Sequence, residues 1–203
     1  MASRLLVASR NAKKLAELRR VLDAAGLSGL ELLSLGDVPD FPEAPETAPT
    51  FEGNALAKAR DAYAATGIPA VADDSGLEVD ALNGMPGVLS ARWSGVHGQD
   101  GANTALLLAQ MRDVPDDRRG AAFVSACALM HGPGEGDCTV VRGEWAGTIA
   151  HAPRGAGGFG YDPVFVPLGS DRSAAELSPK EKDAVSHRGR ALALLVPALR
   201  ALV

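Results

Sequence analysis

The sequence predicts an α/β fold built on a mixed sheet, and three observations carry that expectation. The chain opens with strand-like and helix-like segments in alternation. Two long strand-like segments later flank a glycine-rich turn, and a helix-like segment closes the chain. The early βα units imply parallel pairing, and the late turn implies an antiparallel hairpin.

Leu5-Leu6-Val7-Ala8 reads as the first strand. Asn11 is a good N-cap for a helix with apolar residues at Leu15, Leu18, Leu22 and Ala25, stopped by Gly26. Residues 31–35 suit a second strand. A proline-rich loop over 36–50 leads to a helix over 51–65, and Ile68-Pro69-Ala70-Val71 reads as a short buried strand. After a glycine-rich passage at 83–87, a helix is expected over 103–111. Strands follow at 121–131 and 138–149, joined by Gly132-Pro133-Gly134-Glu135-Gly136. The last helix should run over 186–199, bent or ended near Pro197.

At 203 residues the chain fits one domain spanning 1–203, with no separable linker and no internal repeat. A net charge of −5 argues against sequence-independent nucleic-acid binding, which needs a basic surface. No segment resembles a signal peptide, and no apolar stretch approaches the roughly 20 residues of a membrane span. Cys127 and Cys138 fall on neighbouring strands, which leaves a disulfide as one reading, but with no secretory signal two reduced, buried thiols in a cytoplasmic protein are expected; the pair also lacks zinc-site spacing.

The most informative stretch is Ala72-Asp73-Asp74-Ser75-Gly76-Leu77. The preceding strand is expected to end at Val71, so the two acids should stand at its C-terminal end, where α/β sheets usually place their chemistry. Adjacent carboxylates repel and lose hydration on burial, so a cation or donors must offset the cost. Hard oxygens beside a hydroxyl suit Mg²⁺, which usually arrives with phosphate, whereas a solvated Asp-Asp turn is the plainer alternative.

Four other segments bear on this. Ser9-Arg10-Asn11-Ala12-Lys13-Lys14 opens a helix, and lysines there are unfavourable on dipole grounds unless an anion arrives; a solvated basic turn is the other reading. Glu46 stands on a loop, where it is either solvated or a second oxygen ligand to a metal held by the acids. Gly157-Gly158-Phe159-Gly160-Tyr161-Asp162-Pro163 offers close backbone approach and two aromatic faces for a base, or else a glycine turn packed by its own rings. Lys180 to Arg188 holds a guanidinium able to grip phosphate or a base edge and a His187 able to donate; Ser186 as an N-cap before two exposed residues is the structural alternative.

In this order the segments resemble the non-canonical purine nucleoside triphosphate pyrophosphatases, the inosine and xanthosine triphosphate house-cleaning enzymes. The likeness runs from Ser9 to Arg188. It comprises Ser9…Asn11…Lys14, Phe51…Asn54-Ala55…Lys58-Ala59, Ala72 to Leu77 with Gly84…Pro86-Gly87…Ser90-Ala91-Arg92, Gly157 to Pro163, and Ser186-His187-Arg188. The resemblance implies an elongated mixed sheet flanked by helices in two lobes, a central nucleotide cleft, and a homodimer. It implies Mg²⁺-dependent hydrolysis at the α-phosphorus to a monophosphate and pyrophosphate. Asp74 matches the family's catalytic acid and Glu46 with Asp74 its metal ligands. Ser9, Arg10, Asn11, Ala12, Lys13, Lys14, Ser75, Phe159, Gly160, Tyr161, Asp162, Lys182, His187 and Arg188 match substrate-binding positions. Arg10 and Trp93 depart from the family's commoner small residue and tyrosine.

Two rival functions compete with this one. A Maf-type pyrophosphatase acting on modified pyrimidine nucleotides would differ in base selectivity, and a nucleotide-binding regulatory module would not turn over. A haloacid-type phosphatase is excluded, because it needs Asp-x-Asp where this chain has Asp-Asp-Ser.

Overall fold

The computed structural model describes residues 3–9, 12–27, 29–42, 45–134 and 136–203, with the side chains of Ala12 and Lys13 outside the description. Six strands form one sheet in the order β2-β1-β3-β4-β5-β6. They are β1 (Ser3–Val7), β2 (Leu30–Leu33), β3 (Ala70–Val79), β4 (Gly120–Met130), β5 (Cys138–Ile149) and β6 (Phe165–Pro167). β1 pairs in parallel with β2, Ser3 opposite Leu30, and with β3, Leu6 opposite Ala70; β6 runs antiparallel along β5. The helices are α1 (Ala12–Ala24), α2 (Phe51–Thr66), α3 (Asp100–Gln110), α4 (Pro179–Val185) and α5 (His187–Arg200).

The chain divides into two compact units. The first holds Met1–Asp74, Ser125–Gly143 and Arg188–Val203; the second holds Ser75–Val124 and Glu144–His187. In the first unit the strand period of two sorts residues onto opposite faces. Leu5, Val7 and Val71 pack with Leu18 and Leu22 of α1 and with Leu192 and Leu195 of α5. Leu6 and Ala70 pack instead with Ala62 and Tyr63 of α2. The second unit's core centres on Leu77, Leu107, Phe123, Trp145 and Phe165.

α2 is well specified locally. Thr50 caps it by accepting from the Gly53 N–H at 3.1 Å, and Gly67, at φ +66°, ends it in the left-handed conformation that a residue without a Cβ adopts freely. Its buried face is Phe51, Asn54, Ala55, Ala59 and Ala62, and the small alanines let the helix approach closely. Among the described residues no helix is long and apolar enough to cross a membrane.

Several expectations need correction. β3 does not end at Val71 but continues to Val79, so Asp73 and Asp74 lie inside a ten-residue strand. The register explains it: β1 stops opposite Val71, while β3 continues beside β4. Pro197 lies within α5, which continues to Arg200. A separate helix, α4, precedes α5, and Ser186 is the extended residue between them. β6 had no sequence signal. Neither cysteine is in a disulfide; Cys127 on β4 is buried as expected, but Cys138 at the start of β5 is half-buried. The proposed N-cap Asn11 lies outside the described residues.

Candidate functional site

Because consecutive strand residues point to opposite faces, the Asp73 and Asp74 carboxylates pair directly with different cations. Asp73 faces α1 and α5. Its carboxylate lies 2.9 Å from Lys14 Nζ and 3.3 Å from Arg188 Nε. Burial pushes this carboxyl up, but Lys14 and Arg188 outweigh burial and hold it down to about 2. Arg188 also donates to Glu17 of α1 at 2.7 Å. The anion that offsets Lys14 at the start of α1 is therefore the chain's own Asp73.

Asp74 faces α2. Asn54 Nδ2 and Lys58 Nζ, one turn apart on that helix, each donate to it at 3.1 Å. The same Lys58 ammonium pairs with Glu46 from the loop before α2. Burial raises the Asp74 pKa, Lys58 opposes the rise, and the nearby Glu46 charge adds to it. For Lys58, burial favours the neutral amine, yet the two carboxylates prevail and raise its pKa.

Glu46 and Asp74 thus converge on one cation. Their hard oxygens fit a divalent ion such as Mg²⁺, whose nearest protein analogue in this structure is the Lys58 ammonium. Among the described residues no three Asp, Glu, His or Cys side chains gather into a cage of their own. Two carboxylates suffice for an ion that completes its octahedron with water and phosphate.

The remaining positions fall as follows. Ser9 and Ser75 are half-buried, Ser9 just after β1 and Ser75 within β3; Arg10 and Asn11 lie outside the described residues, and Ala12 and Lys13 begin α1. In the second unit, Asp162 is buried and accepts from the Phe159 N–H at 2.8 Å and from Lys182 Nζ at 2.5 Å. Lys182 also sits 5.1 Å from the centre of the Phe159 ring. A Cβ on Gly158 would lie 2.1 Å from the Asp162 carboxylate, so this approach requires glycine. Gly160 has φ +59°.

Of the two rings read as stacking surfaces, only Phe159 keeps exposed area. Tyr161 is 4% exposed, and its hydroxyl donates to the Ser90 carbonyl at 2.9 Å. His187 and Arg188 are not open first-turn residues, each being 5% exposed. The His187 ring stacks on Phe123 at 4.9 Å and 14°.

Sequence reasoning passed over three contributors. Asn54 and Lys58 appeared only as motif members, although two polar residues at i, i+4 beside an alanine-rich helical face were a usable signal. Glu17 gave none, since a glutamate on an amphipathic helix reads as solvated.

A mixed sheet flanked by helices, parallel at one edge and antiparallel at the other, with two carboxylates meeting at one ammonium, defines an α/β protein. The chain belongs to the Ham1 family, whose profile matches residues 5–198. The dITP/XTP pyrophosphatase of Mycobacterium tuberculosis strain H37Rv is 77% identical over 202 residues, covering 100% of this chain and 98% of its own. That of Nocardia farcinica is 72% identical, over 98% and 96% of the two chains. Among solved structures, the nucleoside-triphosphatase / dITP/XTP pyrophosphatase of Mycobacterium abscessus superposes with TM-score 0.80 at 67% identity, covering 97% of this chain and 99% of its own. The HAM1 protein of Coxiella burnetii gives TM-score 0.86 at 41% identity, over 98% and 99%.

Proposed function

We propose that this chain is a nucleoside triphosphate pyrophosphatase that removes inosine, deoxyinosine and xanthosine triphosphates from the nucleotide pool, with Mg²⁺, as a cytoplasmic homodimer. The observation that carries the reading is the convergence of Glu46 and Asp74 on one cation. It occurs in a chain 77% identical to proteins named dITP/XTP pyrophosphatase.

The reaction joins a water oxygen to the α-phosphorus and breaks the bond to the bridging oxygen, which leaves with pyrophosphate. Such transfers depend mainly on positioning and charge. Asp74 orients the attacking water and takes its proton, a role that its burial-raised proton affinity suits. Asn54 and Lys58 fix that carboxylate by donating to its two oxygens. Lys14 supplies positive charge to the departing phosphates. Phe159 gives its ring to the base, with Lys182 held beside it by Asp162, and the purine 6-oxo group meets donors from the region of His187 and Arg188. Bound by Glu46 and Asp74, Mg²⁺ would screen phosphate charge and make water more acidic.

A nucleotide panel read for both pyrophosphate and orthophosphate tests this reading. With Mg²⁺, ITP and XTP should exceed ATP in kcat/KM by at least ~100-fold, since an amine replaces the oxo acceptor and leaves donors unpaired. Pyrophosphate should be the product, and chelation of Mg²⁺ should stop turnover. Equal rates on ITP and ATP, a preference for dTTP, or orthophosphate as product would overturn it. Sedimentation at micromolar concentration should return twice the 20.9 kDa chain mass.

A further inference from the structure

The loop over residues 157–161 carries Phe159, yet it has no regular secondary structure to hold it. It is instead held by hydrogen bonds to the segments around it. The Gly157 N–H donates to the Ala175 carbonyl at 3.0 Å, the Phe159 N–H to Asp162, and the Tyr161 hydroxyl to Ser90. Gly160 is held from a different element. Its N–H donates to Asp100 Oδ2 at 2.8 Å, and its carbonyl accepts from Thr104 Oγ1 at 3.3 Å. Both backbone groups of one residue are thereby taken by the first two turns of α3.

α3 is a firm reference for such a grip. Near its other end, the buried Arg119 guanidinium donates to the carbonyls of Met111 and Val114 at 2.7 and 3.1 Å, and to those of Ile149 and Ala150 at 2.6 and 3.1 Å. The helix is tied to the end of β5 at one terminus and to the Gly160 peptide at the other. Asp100 is solvent-exposed and stands in the first turn of α3, where a carboxylate is favoured by the helix dipole.

We propose that Asp100, assisted by Thr104, is the positioning residue for the 157–161 loop and so sets where Phe159 meets the purine ring; this rests on the functional reading above. Asp100 touches no reacting atom. It acts through Gly160, and its loss loosens base recognition while leaving the phosphate chemistry intact.

The test compares Asp100→Ala, Asp100→Asn and Thr104→Val with wild type. Asn keeps an acceptor for the Gly160 N–H but drops the charge that favours the helix terminus, so Asn against Ala isolates the hydrogen bond. Amide hydrogen exchange over the 157–161 peptide should accelerate ~10-fold in Asp100→Ala and stay close to wild type in Asp100→Asn. Thr104→Val should fall between them. The Kd for inosine monophosphate and the KM for ITP should rise about 5-fold in Asp100→Ala, with kcat and the Kd for pyrophosphate within about 2-fold. Unchanged exchange in Asp100→Ala, equal effects of Ala and Asn, or parallel losses of monophosphate and pyrophosphate binding would overturn the assignment. A wild-type protein that neither turns over ITP nor binds inosine monophosphate would overturn the functional reading instead. The exchange data would then decide the positioning role separately.

Discussion

Arg188 Nε lies 3.3 Å from Asp73 Oδ2, closing an ion pair between residues 115 apart in sequence. The guanidinium and the carboxylate are both shielded, with side-chain exposures of 6% and 11%. Lys14 on one side and Glu17 on the other extend the pair into a four-member network joining β3, α1 and α5. Breaking one partner of a buried pair leaves a charge without compensation, which is costlier than removing both.

The pair gives a first prediction, about acid. The folded-state pKa of Asp73 lies below its ordinary value, so its contribution is fully present above pH ~4 and lost as pH falls through about 2. A shift from 3.8 to about 2 corresponds to about 2 kcal/mol. Asp73→Asn should flatten the decline in chemical-denaturation stability between pH 4 and 2 and lower stability at pH 7 by ~3 kcal/mol. An unchanged pH profile would remove Asp73 from the network.

What the sequence disclosed and what it hid divide along physical lines. Helical spacing located α1, the short apolar run located β1, which is buried on both faces, and the glycine-rich turn located the β4–β5 hairpin. The role of the acid pair was legible as chemistry but not as geometry. Adjacent carboxylates suggested one shared cation at a strand end, whereas the strand's period of two gives each acid its own basic partners. β6 is only three residues long, below the length at which alternation can be recognised. Tyr161 and Phe159 look alike in sequence, yet the tertiary contact with Ser90 turns one ring inward.

Asp74→Asn should reduce kcat by at least ~100-fold while the nucleotide still binds, because Asn keeps the shape and removes the charge. Two opposing effects bear on stability: burial makes the ionised Asp74 unfavourable in the fold, whereas Lys58, whose own pKa Asp74 raises, loses a counter-charge in the variant and keeps Glu46. Thermal melts at pH 7 should therefore show a Tm close to wild type. A large fall in Tm would mean that lost activity reflects folding rather than chemistry.

Opposite shifts are expected from the two neighbours of Asp74. Lys58 lowers its pKa and Glu46 raises it. In metal-free protein followed by carboxyl NMR, Lys58→Met should move the Asp74 titration upward and Glu46→Gln should move it downward. Shifts of the same sign in both variants would contradict the arrangement in which one ammonium serves both carboxylates.

Arg119 is 3% exposed and spends its guanidinium on four backbone carbonyls. Arg119→Met keeps much of the volume but strands those acceptors, a loss of ~3 kcal/mol. At 2–4 °C per kcal/mol for a chain of this size, Tm should fall by about 6–12 °C. A change within 1 kcal/mol would show that water replaces the guanidinium without penalty.

Lys14 gives the last prediction, because its ammonium already has an anion. If it serves the departing pyrophosphate, substrate phosphate and Asp73 compete for the same charge at 2.9 Å from the carboxylate. Lys14→Ala should then weaken pyrophosphate binding by ~10-fold, about 1.4 kcal/mol, and affect inosine monophosphate much less. Asp73→Asn should do the reverse, releasing Lys14 and tightening pyrophosphate even as it destabilises the fold. In the double variant the gain from Asp73→Asn should vanish, since the charge it releases is gone; calorimetric titration of the four proteins measures that coupling directly. Equal losses for both ligands in Lys14→Ala, or a gain from Asp73→Asn that survives without Lys14, would assign the lysine to holding α1 against β3 and leave the phosphates to other donors.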